Sequence, residues 1–185
     1  MRINNYKEKI TNHYERLWGG KYSALKEKES TAKLGIDFTV LEFSPTLDRD
    51  MWTYATIHMS PLDDEPPLEL HMFSSTQDRS LVELLTITSF YHQKRARLNL
   101  NHTINFGRPW QGKSACEYGF ISLPYLDGPD LENFTDEEIT VKCYWLIPVC
   151  ESEVDYRSKY GTEALEEKFD QECLDYVNPN RDCIV

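Results

Sequence analysis

A chain of 185 residues with 40% hydrophobic and 12% aromatic side chains is able to bury one packed core, and no Pro/Gly-rich linker or internal repeat divides it. Its formal charge of −11 disfavours nucleic-acid phosphates and anionic membranes as partners. With no stretch of eighteen apolar residues and no signal-peptide-like start, a soluble cytoplasmic protein is expected. The charge is unevenly placed. Residues 1–113 hold 15 Lys+Arg and 14 Asp+Glu, whereas residues 114–185 hold 5 and 17, a net of −12.

Tyr6, Ile10, Tyr14, Leu17 and Trp18 fall on one helical face, which predicts an amphipathic helix over 5–18 stopped by Gly19-Gly20. After a lysine-rich connection, Ile36, Phe38 and Val40 alternate with Asp37 and Thr39 as a first strand, closed by Pro45. Residues 51–59 predict a second strand, with Trp52, Tyr54, Thr56 and His58 on one face. Past the turn-rich SPLDDEPP, Leu68, Leu70 and Met72 predict a third, antiparallel to the second. Ser80-Leu81-Val82-Glu83 has the form of a capping box and opens a helix over about 81–97. Leu81, Leu84, Leu85, Thr88 and Tyr91 are expected to face the core, with His92 on the surface. The five basic residues within 91–113 read as helix-end charges and a solvated loop, and Trp110 as core.

Residues 118–123 predict a further strand ended by Pro124. A loop then gathers Asp127, Asp130, Glu132, Asp136, Glu137 and Glu138 without a base. Val141, Cys143, Trp145 and Ile147 alternate with Lys142, Tyr144 and Leu146, the pattern of a strand covered on both faces, and Pro148 is expected to end it. Glu151, Glu153 and Asp155 suit the first turn of a helix. A helical hairpin over 151–175 is predicted, with Gly161 at the left-handed terminus of its first helix. Thr162 caps the second, where Leu165, Phe169 and Cys173 form an apolar stripe. Strands and helices mix without strict alternation, so the expectation is a single α+β domain with a mixed, largely antiparallel sheet packed against helices.

Five cysteines without CxxC spacing argue against a disulfide framework or a zinc knuckle. Cys143 and Cys173 read as small hydrophobes, and Cys183 as the exposed one. His58 and His71, with Asp63, Asp64 and Glu65 between them, could assemble a metal site, but no HxH or HExxH spacing supports it. There is no GxSxG elbow, and FGRPWQGK matches no phosphate loop. No catalytic residue, cofactor or metal is therefore expected, and a metal-dependent hydrolase is the remotest reading.

Taken in order, WTYATIHM at 52–59, LELHMF at 68–73, LVELLTITSFYH at 81–92, GFISLPYLDGPDLENF at 119–134 and VKCYWLIPVCESEVDYRSKYGTEALEEKF at 141–169 resemble the Suppressor of Fused domain family. The most specific positions are Trp145, Ile147, Pro148, Glu153, Gly161 and Leu165, all of them structural. In animals the family restrains Gli transcription factors, using this domain and a further C-terminal one. Bacterial single-domain relatives are often encoded beside polymorphic toxins and act as immunity proteins. The resemblance thus implies binding rather than catalysis. The first expectation is a non-enzymatic cytoplasmic immunity protein for a basic, nuclease-type toxin, whose charge the acidic C-terminal part complements. The contact is expected from Asp127, Asp130, Glu132, Asp136, Glu137 and Glu138, with Glu151, Glu153 and Asp155. The alternative is a regulatory module that sequesters a peptide or transcription factor, for instance by strand addition at a sheet edge.

Overall fold

The computed structural model describes residues 5–26, 34, 37–61 and 64–185; the expectations for Ile36 and Asp63 lie outside them. In chain order the elements are α1 (Tyr6–Trp18), β1 (Tyr22–Leu25), β2 (Thr39–Phe43), β3 (Trp52–Ile57), β4 (Leu68–Ser74) and α2 (Ser80–Lys94). They continue with β5 (Thr103–Asn105), β6 (Tyr118–Ser122), α3 (Pro129–Glu132), β7 (Asn133–Thr135), β8 (Thr140–Val149), α4 (Glu151–Tyr160) and α5 (Thr162–Gln171). The strands form one sheet in the order β1-β2-β3-β4-β8-β6-β5, with β7 also paired to β8. Every pairing is antiparallel except β4 with β8, so the sheet is mixed and largely antiparallel, within an α+β fold. No described helix is long and apolar enough to cross a membrane.

Alternation along β8 builds three layers. Tyr144 and Leu146 join α2 side chains Leu81, Leu84 and Leu85, together with Trp110, in one core. On the opposite face, Val141 and Cys143 pack with Tyr6, Ile10, Tyr14 and Trp18 of α1. Further along that face, Trp145, Ile147 and Val149 pack with Leu165 and Phe169 of α5. A strand buried on both faces needs apolar residues at nearly every position, which is why β8 reads as a continuous run.

Several expectations change. Pro148 does not end β8 but lies within it, opposite Gly119. Pairing with β4 covers only Lys142 to Trp145, so at Pro148 the strand has a neighbour on one side and the missing N–H interrupts no ladder. The Ser80 capping box is not formed: Ser80 is already helical, and its N–H donates to the Asp78 carboxylate (2.8 Å). Helix α2 stops at Lys94, and its inner face carries His92 rather than Tyr91, which is 39% exposed. The connection after α1 contains strand β1, and the acidic loop contains α3 and β7. Cys173 lies past the end of α5 with φ 50 and is exposed, so the apolar stripe stops at Phe169. Cys150 and Cys183 are disulfide-bonded, with Cα atoms 6.0 Å apart, against the expectation of unpaired cysteines.

Candidate functional site

Strand β8 is ten residues long, about 30 Å, and it separates the acids that sequence had grouped. Residues 127–138 lie towards its start, where β7 pairs with residues 140–142, whereas Glu151, Glu153 and Asp155 follow its end. Most of the loop acids already have partners. Asp127 is ion-paired with Arg49 and its side chain is nearly buried. Asp136 and Glu138 both hold Lys9, and Glu132 holds Lys142 (3.0 Å). Glu151 accepts a hydrogen bond from Tyr118 Oη (3.3 Å). Asp130, Glu137 and Asp155 are exposed. Glu153 is fully buried and faces no solvent. The structure therefore does not gather the nine acids into one surface.

A different set of residues converges on a groove of about 610 Å³. Its floor is the outer end of the β8 core: Trp145, Ile147, Phe169, Leu174 and Tyr176, with Tyr176 edge-on to Trp145 at 4.9 Å. Tyr125 (58% exposed) and Leu126 (46%) flank it from the loop after β6. Glu163, Glu166, Glu167 and Asp170 of α5 form an acidic rim. Glu166 is held by Ser122 Oγ (2.8 Å). Glu163, Glu167 and Asp170 are exposed at i, i+4 and i+7 of one helix face, a spacing at which like charges repel. An apolar floor under exposed carboxylates fits an amphipathic, basic ligand. The legible signal was the run Leu165/Phe169 flanked by acids, but its periodicity registers only packing; what leaves the floor open is Tyr125-Leu126, which no local pattern marks.

Behind the groove the chain's last residues form a strap. Arg181 donates to both oxygens of Glu153 (2.7 Å each) and to the Pro148 carbonyl (3.0 Å). The Glu153 carboxylate also accepts the N–H groups of Cys150 (2.8 Å) and Ile184 (3.1 Å). It thereby caps α4 and anchors the strap. The Cys150 sulfur lies 3.5 Å from the buried Cys116 sulfur. Cys116, Cys150 and Glu153 have ligand-like spacing, all within 4.8 Å. Glu153 is saturated by donors and Cys150 by Cys183, so this set does not have the free lone pairs a cation needs.

The histidines do not form the suggested metal site. His71 lies opposite Ala55, three residues before His58 (which follows the end of β3), and is fully buried between the Trp18 and Phe73 rings. Neither of its nitrogens has a partner among the described residues, and burial, aided by Arg49, depresses its pKa to about 3. His58 packs against the Tyr6 ring instead, tilted by 33° with centroids 4.5 Å apart. Asp64 joins His92, which is buried rather than on the surface, and Ser60 completes a Ser-His-Asp grouping. Its wiring is wrong for a nucleophile. Leu98 N–H donates to Nδ1 (2.9 Å), which puts the neutral ring's proton on Nε2. Nε2 then faces both Ser60 Oγ (2.9 Å) and Asp64 Oδ2 (3.0 Å) as a donor and cannot accept the serine proton. Ser60 Oγ accepts instead from Leu68 N–H (2.8 Å), tying β4 to the preceding turn.

Comparison with known proteins agrees with this fold. Residues 36–182 match the profile of the Suppressor of fused protein (SUFU) family. A crystal structure of a SUFU homologue from Neisseria gonorrhoeae superposes with a TM-score of 0.86 at 25% identity, covering 98% of this chain and 97% of that one. The Sufu–Fu complex structure gives 0.68 at 13% identity, covering 97% and 91%. Drosophila Suppressor of Fused gives 0.70 at 13% identity over 97% of this chain, which spans 51% of that protein. At these last two identities the likeness is one of fold. No curated protein matches the chain. With the matched profile running from before β2 to the strap, the chain belongs to the Suppressor of Fused protein family.

Proposed function

We propose that this chain is a non-enzymatic protein-binding module, and more specifically a cytoplasmic immunity protein that neutralises a basic toxin domain by direct contact. The observation that carries the reading is the groove: an apolar floor of Trp145, Ile147, Phe169 and Tyr176 beneath the exposed carboxylates Glu163, Glu167 and Asp170. The partner inserts an apolar side chain over Trp145 and sets Lys or Arg against the rim, an arrangement that steers encounter as well as holding the complex. Asp130 and Glu137, both exposed, extend the same negative field. Kinship with a protein solved in a Sufu–Fu complex supports binding as the family's trade. In a cytoplasmic setting the Cys150–Cys183 bond is a labile one, since glutathione and thioredoxin keep most thiols reduced there.

Co-expression with the product of the adjoining gene tests this. A toxic product rescued by the wild type and not by a Glu163→Lys/Glu167→Lys/Asp170→Lys variant supports it. A product that is not toxic, or rescue indifferent to charge reversal, sinks it. One observation favours the regulatory alternative: β1 is a sheet edge whose Tyr22, Ser23 and Ala24 are exposed, and it could accept a strand from a disordered peptide. Ser44 N–H donates to the Lys21 carbonyl, so in this antiparallel register residues 21 and 23 bond to β2 and Ala24 turns its N–H outward; an Ala24→Pro variant removes that edge donor and separates the two, since it would abolish strand addition and leave groove binding intact.

A further inference from the structure

We propose that Cys116, Cys150 and Cys183 form a thiol–disulfide exchange site, in which one bond moves between two pairings and so holds or releases the C-terminal strap. The sheet fixes the geometry. Tyr118 of β6 pairs with Val149 of β8, so Cys116 and Cys150 lie just beyond the ends of two adjacent antiparallel strands. Their sulfurs stand 3.5 Å apart, in contact without a bond, while Cys150 is bonded to Cys183. Cys150 is common to both pairs and can serve one partner at a time, which makes the arrangement two-state. Cys173, the exposed free thiol, takes no part in the trio.

The step conserves atoms and electrons. The Cys116 thiol loses its proton and its sulfur attacks Cys150 Sγ; the Cys116–Cys150 bond forms as the Cys150–Cys183 bond breaks. Cys183 leaves as a thiolate and takes up a proton, with no net oxidation. Burial holds the Cys116 thiol above its ordinary pKa and Glu153 acts in the same direction, whereas Arg181 and the Ser114 hydroxyl oppose them. Since Arg181 belongs to the strap and Glu153 to α4, the charges facing Cys116 change when the strap lifts. Exchange leaves the strap held by Arg181, the Ile184 N–H, the Ser75 hydroxyl on the Val177 carbonyl (3.3 Å) and side-chain packing, and leaves Cys183, already exposed, as a free thiol. The strap continues from Leu174 and Tyr176, so its release loosens part of the groove's floor; this last consequence rests on the proposed binding function, the exchange itself does not.

Full-length protein carrying Cys173→Ser, alkylated with iodoacetamide without reductant, acid-quenched and mapped by peptide mass spectrometry, tests the exchange. The expected result is alkylation of Cys183 together with a Cys116–Cys150 linkage, and loss of that alkylation in the additional Cys116→Ala variant. Absence of any Cys116–Cys150 linkage in the Cys173→Ser protein overturns the proposal, even if Cys116→Ala fails to fold. Alkylation of Cys116 with the Cys150–Cys183 bond intact overturns it as well. No binding partner enters the experiment, so its outcome is independent of whether the groove binds a toxin.

Discussion

Glu153 and Arg181 face each other at 2.7 Å with side chains 0% and 6% exposed, and this pair joins the first turn of α4 to the last residues of the chain. Leaving one member of such a pair alone strands a buried charge, whereas removing both leaves only lost packing and hydrogen bonds. Arg181→Met is expected to destabilise the protein by about 3–5 kcal/mol, and Glu153→Gln by a similar amount. The double variant should lose clearly less than the sum. Urea unfolding midpoints of the four proteins, compared at constant slope, form the cycle; strict additivity would mean the pair does not couple.

Two buried groups on one face of β4 set opposing pH limits. Burial raises the Glu69 pKa from 4.5 to about 7, although Tyr6, Thr56 and two backbone N–H groups donate to it and pull the other way. A raised acid binds its proton more tightly when folded, so its contribution is full below pH 4.5 and is lost as pH rises to about 7. His71, depressed from 6.5 to about 3, contributes fully above pH 6.5 and loses that contribution as pH falls to about 3. Between pH 4.5 and 6.5 the contributions of these two groups run in opposite directions. His71→Phe fills the same aromatic slot without a proton site. Relative to the wild type, its stability should rise as pH falls through that window, by up to about 3 kcal/mol. Glu69→Gln should show the mirror slope. Unfolding midpoints between pH 4 and 8 check both, and parallel curves for wild type and variants would refute the assignment.

What sequence conveyed and what it hid divide along physical lines. The long periodic segments α1, β3, β4 and β8 were legible because each buries a whole face, so hydrophobicity repeats at the element's own period. Strands β1, β5 and β7, of four, three and three residues, are too short to show a period. The site was harder. Arg181 meets a carboxylate 28 residues away and Cys183 a thiol 33 residues away, and nothing local in RDCIV announces either. Asp127 and Glu153 read as surface acids because charge alone does not reveal that Arg49 and Arg181 bury them. His92 misled for the same reason: its partners Ser60 and Asp64 come from a turn before β4.

Gly119 is a packing requirement. A Cβ there would stand 2.6 Å from both Leu146 Cδ1 and Phe106 Cζ, closer than carbon atoms approach. Both neighbours are side chains, one in the α2-side core and one beside it, and each must change rotamer to make room. Gly119→Ala is expected to cost about 1–3 kcal/mol. Thermal unfolding reads the loss, and adding Phe106→Leu should recover part of it by clearing one of the two contacts. A Gly119→Ala protein as stable as wild type would show that β6 can shift away from β8 at Pro148.

The rim acids of α5 should affect binding and stability with opposite signs. Glu163, Glu167 and Asp170 are exposed and repel one another along one helix face, so neutralising the middle one relieves two unfavourable spacings. Glu167→Gln is expected to leave stability unchanged or raise it by a few tenths of a kcal/mol. In the proposed complex, the same carboxylate is one of the charges that would meet a basic partner. Affinity for a lysine-rich amphipathic peptide should therefore fall in Glu167→Gln, mainly through a slower association rate, and fall further in the triple Lys variant. Raising ionic strength should weaken the wild type more than Glu167→Gln, because fewer screened charges remain in the variant. Tyr125→Ala, at the exposed flank of the groove, probes the apolar contact instead: its loss should appear in dissociation, with little dependence on salt. Stopped-flow association at two salt concentrations separates these contributions. Equal salt slopes for wild type and the rim variants would remove the carboxylates from the contact, whatever the peptide's affinity.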